Sequence, residues 1–196
     1  MNVVGVVAGV DLNTRYAAWA VCGGHRRWNT GLYDLSTANA LQGLAALLTR
    51  ECVTHVITEQ PFLKDNYASA AKLAMLAGML YGHCQAAGIV CLPLVPPTTW
   101  QHSVLAQFAQ RRDELKRGSV FFARNLTGRD IASHDEADAV AIAHWGYCVG
   151  LGQWLTGGSS ADLLAMPAAV LFSGRMSLKS LKHASKTSAQ SAKKLI

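Results

Sequence analysis

The sequence lacks the segments that place a protein in or across a membrane. Its 196 residues contain no uninterrupted apolar run of the roughly 18 residues that a membrane-spanning helix requires. The first apolar run, residues 3 to 10, is followed by Asp11 and has no charged segment before it and no cleavage-site pattern after it. It does not have the pattern of a signal peptide. We therefore expect an intracellular protein that does not contact membranes.

The sequence also lacks the cysteine and glycine motifs that mark metal or nucleotide sites. The five cysteines are odd in number, are scattered along the chain and include no CxxC pair. This pattern favours buried thiols in a reducing compartment over a disulfide or zinc framework. No glycine-rich loop of the Walker type is present, so we expect no nucleotide cofactor.

Charged residues are few, and most of the excess of basic over acidic residues lies at one end of the chain. They make up 15% of the chain, which has a net charge of +6. Residues 156 to 196 contain six basic residues and one acidic residue, a net charge of +5, whereas the other 155 residues contain 12 basic and 11 acidic residues, a net charge of +1. A basic tail attracts polyanions such as nucleic acid. A Lys/Ser/Ala-rich terminus is equally typical of a solvated segment that only keeps a protein soluble.

The spacing of apolar residues predicts an α/β fold. Strands are predicted at residues 3 to 10, 15 to 22, within 26 to 35, 53 to 58 and 89 to 95. Helices are predicted at residues 37 to 50, 67 to 87, 98 to 109, 113 to 125 and 133 to 149. We expect Ser36 or Thr37 to cap the first helix and the Ala-rich second helix to be buried. The order of elements predicts one domain, residues 1 to 155, with a mixed five-stranded sheet flanked by helices, and a basic, flexible C-terminal extension, residues 156 to 196.

Four acidic residues border these buried elements. Asp11 and Glu59 each follow a predicted strand, and neighbouring parallel strands bring their carboxyl ends to one crevice. Asp135 and Asp138 are three residues apart in the first turn of a predicted helix and share a face, whereas Glu136 points about 100° away from Asp135. Each acid alone is commonly a capping or surface residue. Together they predict a carboxylate cluster that binds hard cations such as Mg²⁺ or Mn²⁺ and suits two-metal phosphodiester hydrolysis.

Three segments that contain these acids resemble a known family. The segments GVDLN (9 to 13), EQPFLKDNYASAAKL (59 to 73) and HDEADAVAIA (134 to 143) resemble the RuvC-type Holliday-junction resolvases, in the order that the family has them. The resemblance implies a ribonuclease H-like fold, a homodimer in the cytoplasm of a bacterial-type or virus-infected cell, and paired nicks in a four-way DNA junction. It also implies two Mg²⁺ ions, with Mn²⁺ as a substitute. It assigns metal binding and catalysis to Asp11, Glu59, Asp135 and Asp138.

The same resemblance assigns contacts with DNA. Phe62 matches an aromatic residue that in the family contacts bases near the junction centre, and a core position is an equally good interpretation. Lys116 matches a basic residue that meets phosphate or stabilises transition-state charge, which makes it a further catalytic candidate. Arg117 or Arg111 could replace it, and a solvated lysine is the simpler interpretation. The predicted DNA-binding residues are Phe62, Lys64, Asn66, Lys116, Arg117, Lys179 and Lys182.

The histidine and tryptophan residues are weaker candidates for the site than the four acids. His134 could approach the metals or position water, or it could be only a helix-entry residue. The other histidines show no spacing typical of metal ligands. We expect Trp19, Trp100, Trp145 and Trp154 to pack in the core.

Three other functions fit parts of the sequence. One is a YqgF-like nuclease that acts on RNA, or a less selective nuclease of branched DNA. Another is a junction-DNA-binding module of the same fold that does not cut, against which the four intact acids argue. A third, an actin-like sugar kinase, also begins with a strand that ends in an acid, but its phosphate-binding glycine loops are missing and the chain is too short for it.

Overall fold

A computed structural model describes residues 5–23, 28–61, 67–105 and 111–150. The boundary predicted at residue 155 and the basic extension lie outside this part of the chain. The strands are β1 (Val7–Leu12), β2 (Tyr16–Cys22), β3 (Asn29–Asp34), β4 (His55–Thr58) and β5 (Val90–Cys91). The helices are α1 (Ala40–Arg50), α2 (Tyr67–Ala86), α3 (Pro97–Leu105), α4 (Arg112–Thr127) and α5 (His134–Trp145), followed by a π-helical segment (Gly146–Gly150). None of the described helices is long and apolar enough to cross a membrane.

The five strands form one mixed sheet in the order β3-β2-β1-β4-β5. The first three strands form the predicted meander, with β2 antiparallel to both β1 and β3. Strand β4 lies on the other side of β1 and parallel to it, and β5 is parallel to β4. The predicted mixed five-stranded sheet is therefore confirmed, with β1 at its centre.

Helices cover both faces of the sheet, and alternate residues of β1 point to opposite faces. Ala8 and Val10 pack with Leu44 of α1 and Leu80 of α2. Val7 points the other way and packs with residues of α3, α4 and α5. Asp11, four residues after Val7, therefore belongs to the face that α3, α4 and α5 cover.

Three sequence-based expectations about the elements are wrong. Helix α1 begins at Ala40 after Asn39, which makes no side-chain capping hydrogen bond; Ser36 instead bonds the carboxylate of Asp34 through its backbone N–H and its hydroxyl. Strand β5 has two residues, because Pro93 has no N–H for a ladder and the chain rejoins the sheet only at Val95. Helix α2 has four buried residues among its 20 and is largely exposed.

Among the described helices, α5 is the most deeply buried. Ser133 caps it by accepting a hydrogen bond from the backbone N–H of Glu136. All five residues from Ala139 to Ala143 are buried, in line with the apolar run in the sequence. The predicted helix to Val149 is interrupted, since the regular α-helix ends at Trp145 and the π-helical segment follows.

Candidate active site

Parallel pairing of β1 and β4 brings the first two acids together. The last paired residues of the two strands are Val10 and Thr58. Each of these two residues is followed by an acid. Asp11 follows Val10 within β1, and Glu59 follows Thr58 at the end of β4. Both acids lie on the face that carries Val7 and Ile57, because side chains of a strand alternate. Asp11 and Glu59 therefore lie side by side at the carboxyl ends of adjacent parallel strands, as the sequence predicts.

Gly9 allows α5 to lie close to the end of β1 that carries Asp11. A Cβ atom at Gly9 would lie 2.3 Å from the backbone N of Ala143 and 2.4 Å from the carbonyl oxygen of Ala139. These distances are far below van der Waals contact, so the helix backbone lies directly against the strand at this glycine. The preceding turn of the same helix carries Asp135 and Asp138. The close approach thus places both acids beside Asp11, two residues beyond the glycine.

The four carboxyl groups interact electrostatically. Burial raises the pKa of Asp11 well above its usual value, and the negative charges of Glu59, Asp138 and Asp135 raise it further. Burial also raises the pKa of Glu59 to about 7, with Asp138 contributing. The pKa of Asp138 is raised to about 6, again mainly by burial. Packing four acids here therefore leaves a site that is short of positive charge.

Three neutral donors hold three of these acids. The Tyr16 hydroxyl donates to Oδ2 of Asp135 at 2.5 Å. The indole N–H of Trp100 donates to Oε2 of Glu59 at 2.6 Å. The Ser119 hydroxyl donates to Oδ1 of Asp138. The donors come from β2, α3 and α4, so several elements converge on the cluster.

Glu136 is directed away from the cluster, as the helical spacing predicts. Its Oε1 accepts a hydrogen bond of 2.5 Å from the hydroxyl of Thr30 in β3. The carboxyl group thus ties the first turn of α5 to the edge strand of the sheet. Glu136 is a structural acid beside the site and does not belong to the four-carboxylate group.

Two basic side chains lie close enough to the cluster to act on Asp138. Lys116 and Arg117 are exposed in α4, and the charge of Lys116 acts on Asp138 by lowering the pKa that burial raises. His134 is the exposed first residue of α5 and has the same effect on Asp138. The structure therefore brings Lys116 and His134 to the cluster, and His134 is both a helix-entry residue and a neighbour of the acids.

The fold is shared with known structures. RuvC from Thermus thermophilus in complex with a Holliday junction substrate has a TM-score of 0.60 to this chain at 18% sequence identity, over 78% of this chain and 97% of that chain. A second Thermus thermophilus RuvC structure has a TM-score of 0.56 at 19% identity, over 70% of this chain and 90% of that chain. The chain has the RuvC fold.

The likeness to RuvC is found by comparing structures and not by comparing sequences. A yeast mitochondrial Holliday junction resolvase has a TM-score of 0.44 at 13% identity, over 71% of this chain and 76% of that chain. No protein-family model matches the chain, and no curated protein sequence matches it significantly. The predicted ribonuclease H-like α/β fold is thus confirmed by the RuvC structures.

The donor set of this site has the chemistry of a site for hard cations. Four carboxyl groups offer oxygen ligands, which Mg²⁺ and Mn²⁺ prefer, and the raised pKa values of Asp11, Glu59 and Asp138 show that a positive charge would be stabilised there. Within the described ranges, no group of three or more acidic, histidine or cysteine side chains has an arrangement that could already hold a metal ion. The residue types fit divalent cations, and binding would require the side chains to adjust.

Several predicted DNA-binding residues lie outside the described residues. They are Phe62, Lys64 and Asn66, in the segment between β4 and α2, and Lys179 and Lys182, in the basic extension. Of the tryptophans expected in the core, Trp19, Trp100 and Trp145 are buried, and Trp154 is not among the described residues.

Sequence reasoning missed the three donors. Tyr16 begins β2, and its alternation with Ala18 and Ala20 could have placed it on the face of Asp11. Trp100 was correctly expected to be buried, but its polar N–H also required a partner. Ser119 gave no signal, because a serine within a helix usually bonds its own backbone.

Proposed function

We propose that the chain is a structure-selective endonuclease that resolves four-way or branched DNA junctions by Mg²⁺-dependent, two-metal-ion hydrolysis. The observation that carries the proposal is the convergence of Asp11, Glu59, Asp135 and Asp138 on the face between β1, β4 and α5. The likeness to a RuvC structure in complex with a Holliday junction substrate supports the choice of DNA substrate. We propose that the protein acts as a homodimer, because symmetric cutting of a four-way junction needs two sites.

The four acids would hold the divalent cations, which when bound stabilise the charge that develops on the attacking and leaving oxygens of the phosphodiester. Carboxylates are the appropriate ligands because they are acceptors only and remain negative when a cation replaces their protons. Lys116 lies close enough to act on the charge of Asp138. We therefore propose that Lys116 contacts a phosphate next to the scissile bond, where its positive charge stabilises the transition state.

Contacts away from the acids would provide affinity for DNA. Arg117 is exposed next to Lys116 on α4, and we propose that it contacts a neighbouring phosphate. We propose the same kind of contact for Lys64, Asn66, Lys179 and Lys182, and base stacking for Phe62. Phosphate contacts fix the position of the protein on DNA without reading sequence, which is consistent with recognition of a branched shape.

Two other functions use the same fold. A YqgF-like nuclease would cut RNA with the same acids, and a non-cleaving module would bind junctions without metals. The second is disfavoured by the cost of placing four acids together. A module that only binds DNA has no need to hold Asp11 beside three other negative charges.

The direct test is cleavage of a labelled synthetic four-way DNA junction with and without Mg²⁺. Linear duplex DNA and an RNA–DNA hybrid serve as substrate controls. The proposal predicts metal-dependent, symmetric nicks in the junction alone. Cleavage of the hybrid or of every substrate would favour the other nucleases, and tight junction binding without cutting would favour the non-cleaving module.

A pair of variants tests the assignment of the acids. Asp11→Asn should abolish cutting and leave junction binding in place, because it removes a ligand oxygen charge and no DNA contact. Glu136→Gln is the matched control, since Glu136 is an acid of the same region that bonds Thr30 and points away from the cluster. It should cut like the wild type. Equal loss in both variants, or none in Asp11→Asn, would contradict the assignment.

A further inference from the structure

The three neutral donors around the acids come from separate parts of the chain. The hydrogen bond from Tyr16 to Asp135 joins residues 119 positions apart, and the one from Trp100 to Glu59 joins residues 41 positions apart. Ser119 reaches Asp138 from α4, and its side chain is buried. A buried polar group such as this hydroxyl is normally hydrogen-bonded.

Each donor occupies a single oxygen of its acid. Asp135 is bonded at Oδ2, Glu59 at Oε2 and Asp138 at Oδ1. The second oxygen of each group accepts no protein hydrogen bond within the described part of the chain. Asp11 has no such donor on either oxygen there. Among the described residues, the arrangement thus leaves five carboxylate oxygens without a donor, and three of them belong to groups whose other oxygen is held by a hydrogen bond.

The chemical nature of the donors is as informative as their position. A phenol, an indole and an alcohol orient a carboxylate without neutralising it, whereas lysine or arginine would supply the charge that the site lacks. A cation can then bind a negative group whose side chain has little freedom left to lose. Donors of this kind, which bond to metal ligands and do not touch the metal, commonly set the affinity of the site.

We propose that Tyr16, Trp100 and Ser119 are positioning residues, each of which fixes one carboxyl group by one oxygen so that the other oxygen is presented to a divalent cation. The proposal rests on the proposed function in that it assumes the acids bind a divalent cation. Its prediction concerns affinity for the cation, and this can be measured without DNA.

The test compares variants that each remove one hydroxyl from the full chain. Tyr16→Phe and Ser119→Ala remove a donor to the cluster. Thr30→Val is the matched control, because it removes a hydroxyl that bonds Glu136 in the same turn of α5 but outside the cluster. Mn²⁺ is titrated into metal-free protein and followed by calorimetry and electron paramagnetic resonance. Junction cleavage is then measured over a range of Mn²⁺ concentrations.

We expect Tyr16→Phe and Ser119→Ala each to weaken Mn²⁺ binding by about 10-fold or more, the size usual for loss of a partner of a metal ligand. The cleavage rate at saturating junction and fixed Mn²⁺ should fall, while the junction concentration for half-maximal rate should stay the same. Thr30→Val should bind Mn²⁺ like the wild type. Thermal unfolding without metal identifies any variant whose loss of Mn²⁺ affinity reflects misfolding. If one of the two cluster variants is misfolded, the Mn²⁺ affinity of the other decides the test.

The outcomes separate this proposal from the proposed function. Wild-type Mn²⁺ affinity in both cluster variants, or equal loss in Thr30→Val, overturns the positioning role even if the protein cuts junctions. Weaker Mn²⁺ binding in the cluster variants of a protein that does not cut junctions supports the positioning role and overturns the proposed function. A wild-type protein that does not bind Mn²⁺ overturns both.

Discussion

Glu59 shows how the fold controls a single carboxyl group. It directly follows β4 and lies beside Asp138, where burial and the charge of Asp138 raise its pKa from 4.5 to about 7. The hydrogen bond from Trp100 acts in the opposite direction and is too weak to cancel the effect of burial. At neutral pH and without a cation, the group is therefore only partly ionised, and a bound cation would complete its ionisation.

The raised pKa of Glu59 makes stability depend on pH. Between about 4.5 and about 7, the native state holds a proton that the unfolded state has lost, so native stability falls as pH rises through this window. The pKa values of His55 and His144 are lowered by burial and change stability in the opposite direction. The effect of Glu59 is therefore measured as the difference in stability between the wild type and a variant that lacks this carboxyl group.

We predict that Glu59→Gln becomes more stable relative to the wild type as pH rises from 5 to 8 in the presence of a chelator. Glutamine stays neutral and can still accept from Trp100, so it avoids the cost of ionisation. Thermal unfolding of both proteins across this range gives the difference in Tm. A difference that stays constant or falls with pH would show that Glu59 ionises as readily in the native state as in the unfolded chain.

Single residues of the site could be predicted only in part. The proximity of Asp11, Glu59, Asp135 and Asp138 could be predicted because strand ends and helix spacing are visible in the sequence, whereas their catalytic role stays a prediction. Glu136 was correctly placed outside the cluster. The bond from Tyr16 to Asp135 was not predictable, because it joins residues 119 positions apart. Periodicity indicates which face a residue occupies but not which distant atom it meets.

At the scale of elements, the contact between β1 and α5 determines whether the acids meet. The strand contributes Asp11 and the helix contributes Asp135 and Asp138, and the two backbones touch at Gly9. A side chain at residue 9 would push α5 outward against the neighbouring layer of α4. The small residues Ala139 and Ala143 on the facing side of the helix serve the same close approach.

We predict that Gly9→Ala destabilises the protein by about 1–3 kcal/mol, the usual cost of overpacking a core, and lowers junction cleavage more than junction binding. The added Cβ would meet helix backbone, which cannot rotate away as a side chain can. Urea unfolding and the cleavage assay measure the two effects.

The control for this variant is Gly78→Ala in α2. A Cβ at Gly78 meets nothing within 4 Å among the described residues, and alanine favours a helix over glycine by roughly 1 kcal/mol. Its stability should therefore be unchanged or increased. A Gly9→Ala variant as stable and active as the control would show that α5 does not depend on the glycine.

Element types were predicted better than element limits. The order of strands and helices followed from apolar spacing. The start of α1 was missed because Ser36 bonds Asp34 instead of capping the helix, and β5 is shorter because a proline interrupts the run. Helix α2 looked buried because it is rich in Ala, Leu and Met, yet Met75 and Met79 are exposed. Composition without clear periodicity does not show how much of a helix is covered.

At the scale of the whole molecule, charge is divided between a nearly balanced domain and a basic end. Residues 156 to 196 carry a net charge of +5 and are proposed to contact DNA outside the catalytic cluster. We predict that truncation after Gly157 weakens junction binding and flattens its dependence on salt. The slope of log K against log salt should fall by roughly 1 for each phosphate that the extension neutralises in the full chain.

Titrations of the full chain and the truncated chain with a fluorescent junction at several salt concentrations measure this effect. The cleavage rate at saturating junction should be unchanged, because the four acids remain in the truncated chain. An unaltered affinity and salt slope would show that the basic extension is only a solubility segment.

The central claim is that the four acids form a divalent metal site, and the most direct measurement is anomalous X-ray diffraction from crystals of the protein grown with Mn²⁺. The account predicts Mn²⁺ peaks among Asp11, Glu59, Asp135 and Asp138, two of them about 4 Å apart when DNA is bound. Mn²⁺ bound only elsewhere, or crystals whose acids remain free of metal at a concentration that supports cleavage, would contradict it.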